Sequence, residues 1–584
     1  MKKFLILALL ITVTNAYSNY TTPGTGKNWN LDSLVFYSGG NVTFSSGNYL
    51  INDTINITAT DTIKVLTNAV MKFGTGVFID IFGVLIINAP DSARITAQDT
   101  TLKFLGLKFE DQSDGSILKN MIFEFGNAIR MLDCNILIDN CTIRFNTLNS
   151  AFSSGGAVSF FRSNSVVSNS RIYRNRRAAI TSGANIASSP QILNNLIYEN
   201  DLDNANVPQI NFGATGTAPT IIRGNTIIGG PIMSGGISFL PVGSIPNLII
   251  ENNIIKKNRY GIAIAGGNSN VYINNNVIDS NNIQGNPTLG GSGINFNGSA
   301  TQSSIVTRNI IRGNLWGITI QGTAKPNLGD LSSADTTDAG LNQIYNNSNT
   351  GQIFDLYNNT IDPIKAENNY WGTGIVDSVE AHIFHQPDNS SLGFVDYLPL
   401  RAAKVDLKVL MEGLYNHSLN ILARKDPVTV YLHDAIAPYT RRDSATSLID
   451  TISFNGTFVF NNVPSGQYYL VVKHFNTIIT WSKSGGEPLV ADNSVMNYDF
   501  TSSVTKAFGN NMILVGLKAC MYSGDVDQNG FIDATDVSLI DNDAFNFVSG
   551  VRLSTDLNAD NIVDETDFAL VDNNAANFVG VIAP

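Results

Sequence analysis

The sequence predicts a mainly β chain: a right-handed parallel β-helix, followed by a β-sandwich and a small α-helical calcium module. Three observations point there. A phrase of the form Asn-x-x-aliphatic-x-x-Asn recurs between residues 140 and 347. Beyond residue 403 it gives way to short alternating strands. Residues 520–584 hold two acidic loops, opening at Asp525 and Asp556, related by a shift of 31 positions.

Composition agrees with this order. Only 14% of the 584 residues are charged, against roughly a quarter in ordinary soluble proteins. Gly, Asn, Ser, Thr, Ile and Val fill the gap, which suits stacked strands and tight turns. A net charge of -12 excludes nucleic acid as a partner, because phosphate contact needs a basic face.

The chain begins "MKKFLILALLITVTNAYS": two lysines, an apolar run from Phe4 to Val13, then small residues at Thr14 and Ala16. This reads as a signal peptide over 1–16, cleaved after Ala16. The run is shorter than the roughly 20 residues a membrane span needs, and no later segment is long and apolar enough. The expected location is extracellular, either secreted or held at a cell surface.

Residues 17–403 form the expected β-helix with its N-terminal cap. "NCTIRFN" (140–146), "NSRIYRN" (169–175), "NNLIYEN" (194–200), "NNIIKKN" (252–258) and "NNVIDSN" (275–281) share one frame. "RNIIRGN" (308–314) and "LNQIYNN" (341–347) keep its aliphatic and its closing Asn. The central residues are Ile143, Ile172, Ile197, Ile255, Ile278, Ile311 and Ile344, with Ile227 in a degenerate copy. A rung of this kind cannot bury its apolar face alone, so the rungs must stack. Asn suits the turns because it tolerates the left-handed region, and stacked Asn side chains are expected to bond as a ladder. "NRYGIAI" (258–264) and "NLWGITI" (314–320) add a glycine, expected at a sharp corner, before an inward-facing alternation.

These rungs, the opening "DTIKVLTNAVMKFGTGVFIDIFGVLIINAPDSARITA" (61–97) and the closing "ENNYWG" (367–372) resemble the parallel β-helix repeat family over about residues 30–400. The resemblance implies the fold and a long side suited to a polysaccharide. It leaves lyases, hydrolases, epimerases, adhesins and inert stalks open as functions.

Chemistry on the solenoid is sparsely marked. The polygalacturonase-type signatures of family hydrolases do not occur, and all five histidines lie beyond Trp371, so His-based acid–base work is not expected on the coils. Acids cluster at Glu110, Asp111 and Asp114, and again at Glu199, Asp201 and Asp203. The second group lies one coil from Arg171, Arg174, Arg176 and Arg177. No catalytic residue is assigned; the candidates are Asp201, Asp203, Glu199 and Arg174, with solvated turns as the plainer reading. Trp316, Tyr370 and Trp371 are candidates for stacking on sugar rings, with a structural cap the simpler role for Trp371. Cys134, Cys141 and Cys520 are odd in number, which excludes a fully paired set. Cys134 and Cys141 read as small apolar residues packed unpaired on stacked strands, with a bridge between them as the alternative.

Residues 404–519 read as short antiparallel strands. "FNGTFVFNNVPSGQYYLVVKH" (454–474) resembles the strand–turn–strand of prealbumin-like or immunoglobulin-like sandwiches, with Pro464, Gly466 and Tyr468 at the turn. A spacer, or a partner for the neighbouring calcium module, is the expected role.

"DVDQNGFIDATD" (525–536) sets out oxygen donors at positions 1, 3, 5, 7, 9 and 12: Asp525, Asp527, Asn529, the carbonyl of Phe531, Asp533 and Asp536. Its copy offers Asp556, Asn558, Asp560, the carbonyl of Ile562, Asp564 and Asp567. Calcium takes six to eight such oxygens around a tight bend. Gly530 permits that bend, and Asn561 takes its place in the copy. The predicted cofactor is therefore Ca2+ at two sites. No helical period precedes loop one, whereas Val537, Ile540 and Ala544 share a face after it. A loop followed by one helix, twice, resembles the dockerin family over residues 520–584. The resemblance implies a tether to a cohesin-like protein, or to the sandwich of the same chain. Positions 10 and 11, often Ser-Thr in dockerins, are Ala534-Thr535 and Glu565-Thr566 here, which departs from the usual cohesin-binding pattern.

The function expected on these grounds is a secreted, multimodular, polysaccharide-associated β-helix protein tethered through its calcium module. A polysaccharide lyase or O-glycosyl hydrolase of a dockerin-bearing complex is the alternative, and a non-catalytic adhesin or stalk a third.

Overall fold

The structure is a computed structural model that describes residues 19–147, 152, 155–242 and 247–584. The expected signal peptide, 1–16, lies outside the described residues. No helix among the described residues is long and apolar enough to cross a membrane. Two compact units are present. The first runs through Trp371 and takes in Glu380–Tyr397; the second comprises Gly372–Val379 and Leu398–Pro584.

The first unit is a coil of three parallel sheets. Its first sheet has 14 strands, from Tyr20–Thr21 to Ile383–Phe384. A second ladder climbs from Leu137–Asp139 through Val166–Ser168 and Gln191–Leu193 to Gln302–Thr307. A third climbs from Thr142–Arg144 through Arg171–Tyr173 and Leu196–Tyr198 to Gln343–Tyr345. The repeat phrase is this third strand. Its aliphatics stack in register from Ile143 to Ile344, including Ile227, and each is fully buried. Burial of such a side chain stabilises by roughly 1.5–3 kcal/mol, so a column of them supplies the core that no single rung has.

The asparagines divide the work that the sequence assigns to them jointly. The opening Asn140, Asn169, Asn194, Asn252 and Asn275 are exposed and have φ between 50° and 58°. They make the turn. The residue after each of them, and the closing Asn, point inward. Asn195, Asn225, Asn253, Asn276, Asn309, Asn342 and Asn369 form one buried ladder, each amide donating to the next side-chain oxygen at 2.9–3.0 Å. Cys141 and Ser170 begin the same column: the Cys141 backbone N–H donates to Ser170 Oγ at 3.0 Å, and that of Ser170 to Asn195 Oδ1 at 2.9 Å. A second ladder joins Asn258, Asn281, Asn314 and Asn347 and ends on Asp355 at 2.8 Å.

Two expectations need correction. Gly261 and Gly317 are not required for the left-handed region, since neither has a positive φ; Gly261 lies at a bend and Gly317 within a strand. They belong to a glycine column, 236–261–293–317, where the coils approach too closely for a side chain. A Cβ on Gly261 would sit 2.4 Å from the Gly293 carbonyl oxygen, and one on Gly317 would sit 2.2 Å from that of Asp355. Nor does Trp371, though fully buried, end the coil. The strand Ile383–Phe384 pairs with Leu356–Asn358 beyond it, so His382 and His385 do lie in this unit. Both are engaged there. His382 Nδ1 is 3.1 Å from Asp355 Oδ2, and His385 bonds Glu380 at 3.0 Å while accepting the Val395 N–H at 2.9 Å.

The three cysteines are free and buried. Burial pushes the thiols up, to about 11 for Cys134 and about 12 for Cys141 and Cys520.

In the second unit a three-stranded sheet sets Ala403–Lys408 between Asn455–Phe460, antiparallel, and Val495–Asp499, parallel. A five-stranded antiparallel sheet is built on Pro427–Asp434 and Gly466–Lys473. Alternate residues of both sheets, among them Val405, Leu407, Val430, Leu432, Phe458 and Leu470, share one apolar core. Tyr468 closes the expected turn by donating its hydroxyl to the Pro464 carbonyl at 3.1 Å. The chain then forms two helices, Ala534–Phe545 and Glu565–Ala576, around a separate core of Ile532, Ile540, Leu557, Val563, Val571 and Val579.

Candidate functional site

Each acidic loop runs directly into its helix. Asp533 caps the first helix and Asp564 the second, each in a reciprocal capping box with the Asp at loop position 12. That position is fully buried and staples the loop. Asp536 accepts the N–H groups of Val526, Asp527 and Asp533 at 2.8, 3.3 and 3.0 Å. Asp567 accepts those of Leu557, Asn558 and Asp564 at 2.7, 3.1 and 3.1 Å. The bends fall at Gly530 (φ 92°) and Asn561 (φ 71°). Position 7 of each loop bridges the segment after the other helix, Phe531 to Gly580 and Ile562 to Ser549. The 31-residue duplication is thus a two-fold pair in space.

The carboxylates of Asp525, Asp527 and Asp536 converge, with one oxygen of each within 4.8 Å of the others; no second such group occurs among the described residues. Asn529 and Asp533 are engaged along the loop, accepting the N–H groups of Phe531 and Thr535 at 2.9 and 2.7 Å. In loop two, Asn558 and Asp560 accept those of Asp560 and Ile562 at 2.9 and 3.0 Å. Asp525 Oδ1 and Asp556 Oδ1 are buried without a hydrogen-bond partner. Burial, and then the charge of Asp536, pushes Asp525 up to about 6. Burial likewise raises Asp536, Asp556 and Asp567. Buried, mutually repelling carboxylates with orphaned oxygens fit a hard cation, which would satisfy the oxygens and offset the repulsion.

The two-sheet region of the second unit touches the loop-and-helix segment at several points. Buried Glu412 accepts from Asn574 Nδ2 at 2.7 Å and from the Ser523 N–H at 3.1 Å. Arg552 Nε donates to Asp426 at 3.1 Å, and Arg424 Nη1 lies 3.6 Å from Asp556. None of these long-range pairs carries a local sequence signal.

On the β-helix, the acids and arginines singled out from the sequence meet one another. Arg174 Nε donates to Glu199 at 2.7 Å, with both side chains about half exposed, and Arg176 Nε donates to Asp203 at 2.6 Å. Asp201 is fully buried and accepts the N–H groups of Ala205 and Val207 at 3.0 and 3.2 Å, folding its own loop.

A concavity on the coil lies elsewhere, on the outer face of the first sheet. Alternate residues Asn211, Ser238, Ala263, Asn295, Thr319 and Tyr357 stand in register one coil apart. They form the floor of a groove of about 680 Å³. Trp316 borders it, stacked on Tyr357 with ring centroids 5.5 Å apart, its Nε1 donating to the Pro287 carbonyl at 2.9 Å. Arg259 braces the rim, donating to Gln284 at 2.7 Å and bonding Asn206 and the Leu289 carbonyl. Arg259 is the one charged residue among the described lining residues. Sequence inspection misses this groove because its floor comes from six coils of unequal length. Its only local trace is the polar residue between two apolar ones in phrases such as Ile294-Asn295-Phe296.

No curated protein matches the sequence. A type II cohesin–X-dockerin complex from Acetivibrio cellulolyticus is similar over 30% of this chain and 99% of that one, at 14% identity and TM-score 0.19. The mannuronan C-5 epimerase AlgE4 A-module of Azotobacter vinelandii covers 61% of this chain and 86% of its own, at 13% identity and TM-score 0.27. The Dettilon tailspike protein covers 75% and 71%, at 13% identity and TM-score 0.24. Residues 83–278 match the family model described as "Right handed beta helix region", and together with the stacked parallel sheets this makes the coil a right-handed parallel β-helix.

Proposed function

We propose that the protein is exported and holds a polysaccharide along its β-helix without cleaving it, while a dockerin-like module with two calcium ions, seated on a β-sandwich, serves as the tether. The observation that carries the binding half is the sheet groove. Its floor of small amide and hydroxyl groups, open along successive coils, offers donors and acceptors to a chain of hydroxyls, and the Trp316–Tyr357 pair offers an apolar face to a sugar ring. A glycosidase needs two carboxylates flanking the scissile bond, and no carboxylate lines this groove among the described residues. The acids singled out on the coil, Glu199 and Asp203, are paired with arginines, and Asp201 accepts N–H groups of its own loop.

For the tether, the duplicated oxygen donors, the orphaned buried oxygens and the helix that follows each loop support two calcium sites: Asp525, Asp527, Asn529, Asp533, Asp536 and the Phe531 carbonyl, and Asp556, Asn558, Asp560, Asp564, Asp567 and the Ile562 carbonyl. Calcium would supply charge neutralisation and loop order there.

The test is a binding and turnover assay of the full chain on neutral and acidic polysaccharides. Retention of a neutral polymer without release of products is expected, weakened by about three- to tenfold in Trp316→Ala. Product release that disappears in Asp201→Asn or Arg174→Gln would overturn the non-catalytic reading.

A further inference from the structure

The two loops offer the same number of carboxylates at the ligand positions, four each, with Glu565 an additional one in loop two, yet their surroundings differ in one respect. Each has a buried position-1 oxygen without a partner, Asp525 Oδ1 and Asp556 Oδ1, but no Lys, Arg or His among the described residues is ion-paired to the acids of loop one. Loop two begins against the sandwich. A Cβ on Gly413 would lie 2.2 Å from the Leu557 carbonyl oxygen, so that the backbones nearly touch. Asn476 Nδ2 reaches the Asp556 carbonyl at 3.5 Å. The guanidinium of Arg424, 16% exposed, stands 3.6 Å from Asp556 Oδ2. Its Nη1 and Nη2 are buried and make no hydrogen bond. Arg424 is held there by its Nε, which donates to Asp426 at 2.9 Å, and Asp426 is in turn buried and bonded to His474 at 3.2 Å and Arg552 at 3.1 Å.

We propose that Arg424 of the sandwich acts as a built-in counter-charge at the second metal loop, making it the weaker of two unequal calcium sites and linking its filling to the sandwich contact. This rests on the calcium reading above. A fixed positive charge about 4 Å from a ligand carboxylate opposes an incoming cation by roughly tenfold or more, and half-buried surroundings enlarge the effect. Nη1 lies 3.6 Å from Asp556 with its own hydrogen bonds not completed while Nε stays on Asp426 at 2.9 Å, so the guanidinium charge is shared between a sandwich carboxylate and loop two.

The experiment is calorimetric calcium titration of the full chain after removal of metal by chelator. Two sites separated by at least about tenfold are expected in the wild type. Asp525→Asn should remove the tighter one. Arg424→Gln should tighten the weaker site by about tenfold, Arg424→Lys should leave it weak, and Arg552→Gln, which touches Asp426 but not loop two, should leave both unchanged. Circular dichroism confirms that each variant is folded. Two indistinguishable sites in the wild type, or a weaker site that Arg424→Gln leaves alone or loosens further, would overturn the counter-charge. Absence of any calcium binding would overturn the calcium reading itself, a different result.

Discussion

Neighbouring asparagines in one phrase have opposite fates. Asn253 is buried and fully used. Its amide donates to the carbonyls of Ile222 and Glu251 and to Asn276 Oδ1, and its oxygen accepts the backbone and side-chain N–H groups of Asn225. Asn253→Ala strands those groups and should cost about 3 kcal/mol, read as a shift in the chemical denaturation midpoint. Asn252, one residue earlier, is exposed at φ 58°. Asn252→Gly should be nearly neutral, whereas a β-branched Asn252→Val should cost about 2 kcal/mol. Equal losses at the two positions would contradict the division of labour. The repeat itself was legible in the sequence; which Asn faced inward was not, because both fit a turn and only the coil's register separates them.

The duplicated loop and helix form the next scale. Their donor spacing could be read directly, since all the oxygens of one loop lie within twelve consecutive residues. Their electrostatics depend on burial. Asp525 titrates near 6 in the folded, metal-free chain against about 4 when unfolded. A group whose folded value is raised favours the fold below its unfolded value and loses that contribution as pH rises through the folded one. In chelator the melting temperature of the second unit should therefore fall between pH 4 and pH 7, and added calcium should raise it far more at pH 7.5 than at pH 5. A calcium effect independent of pH would contradict the burial of Asp525. Position 12 shows a related lesson. The Asp at 536 and 567 completes a capping box with the residue that caps its helix and gathers three N–H groups from the loop.

For the whole molecule, the two compact units predict that calcium acts on only one of them. Differential scanning calorimetry of the full chain should show a transition that chelator lowers and another that it leaves in place; a single transition moving with calcium would contradict this. The 404–519 and 520–584 segments, distinct by composition, are joined in one of those units by Glu412–Asn574, Asp426–Arg552 and Arg424–Asp556. The sheet groove belongs to this scale as well. Its floor gathers single residues from strands between Ile210–Phe212 and Leu356–Asn358.

The sequence by itself determined the repeating coil, its buried isoleucine column and the two sets of loop oxygens, because each depends on spacing within some thirty residues or fewer. Only the tertiary structure decided which polar residues of successive coils share a groove, that the acids beside Arg174 and Arg176 are consumed in ion pairs, and that Arg424 stands over Asp556. These depend on the lengths of loops between rungs and on contacts across more than a hundred residues, where no periodicity carries the information.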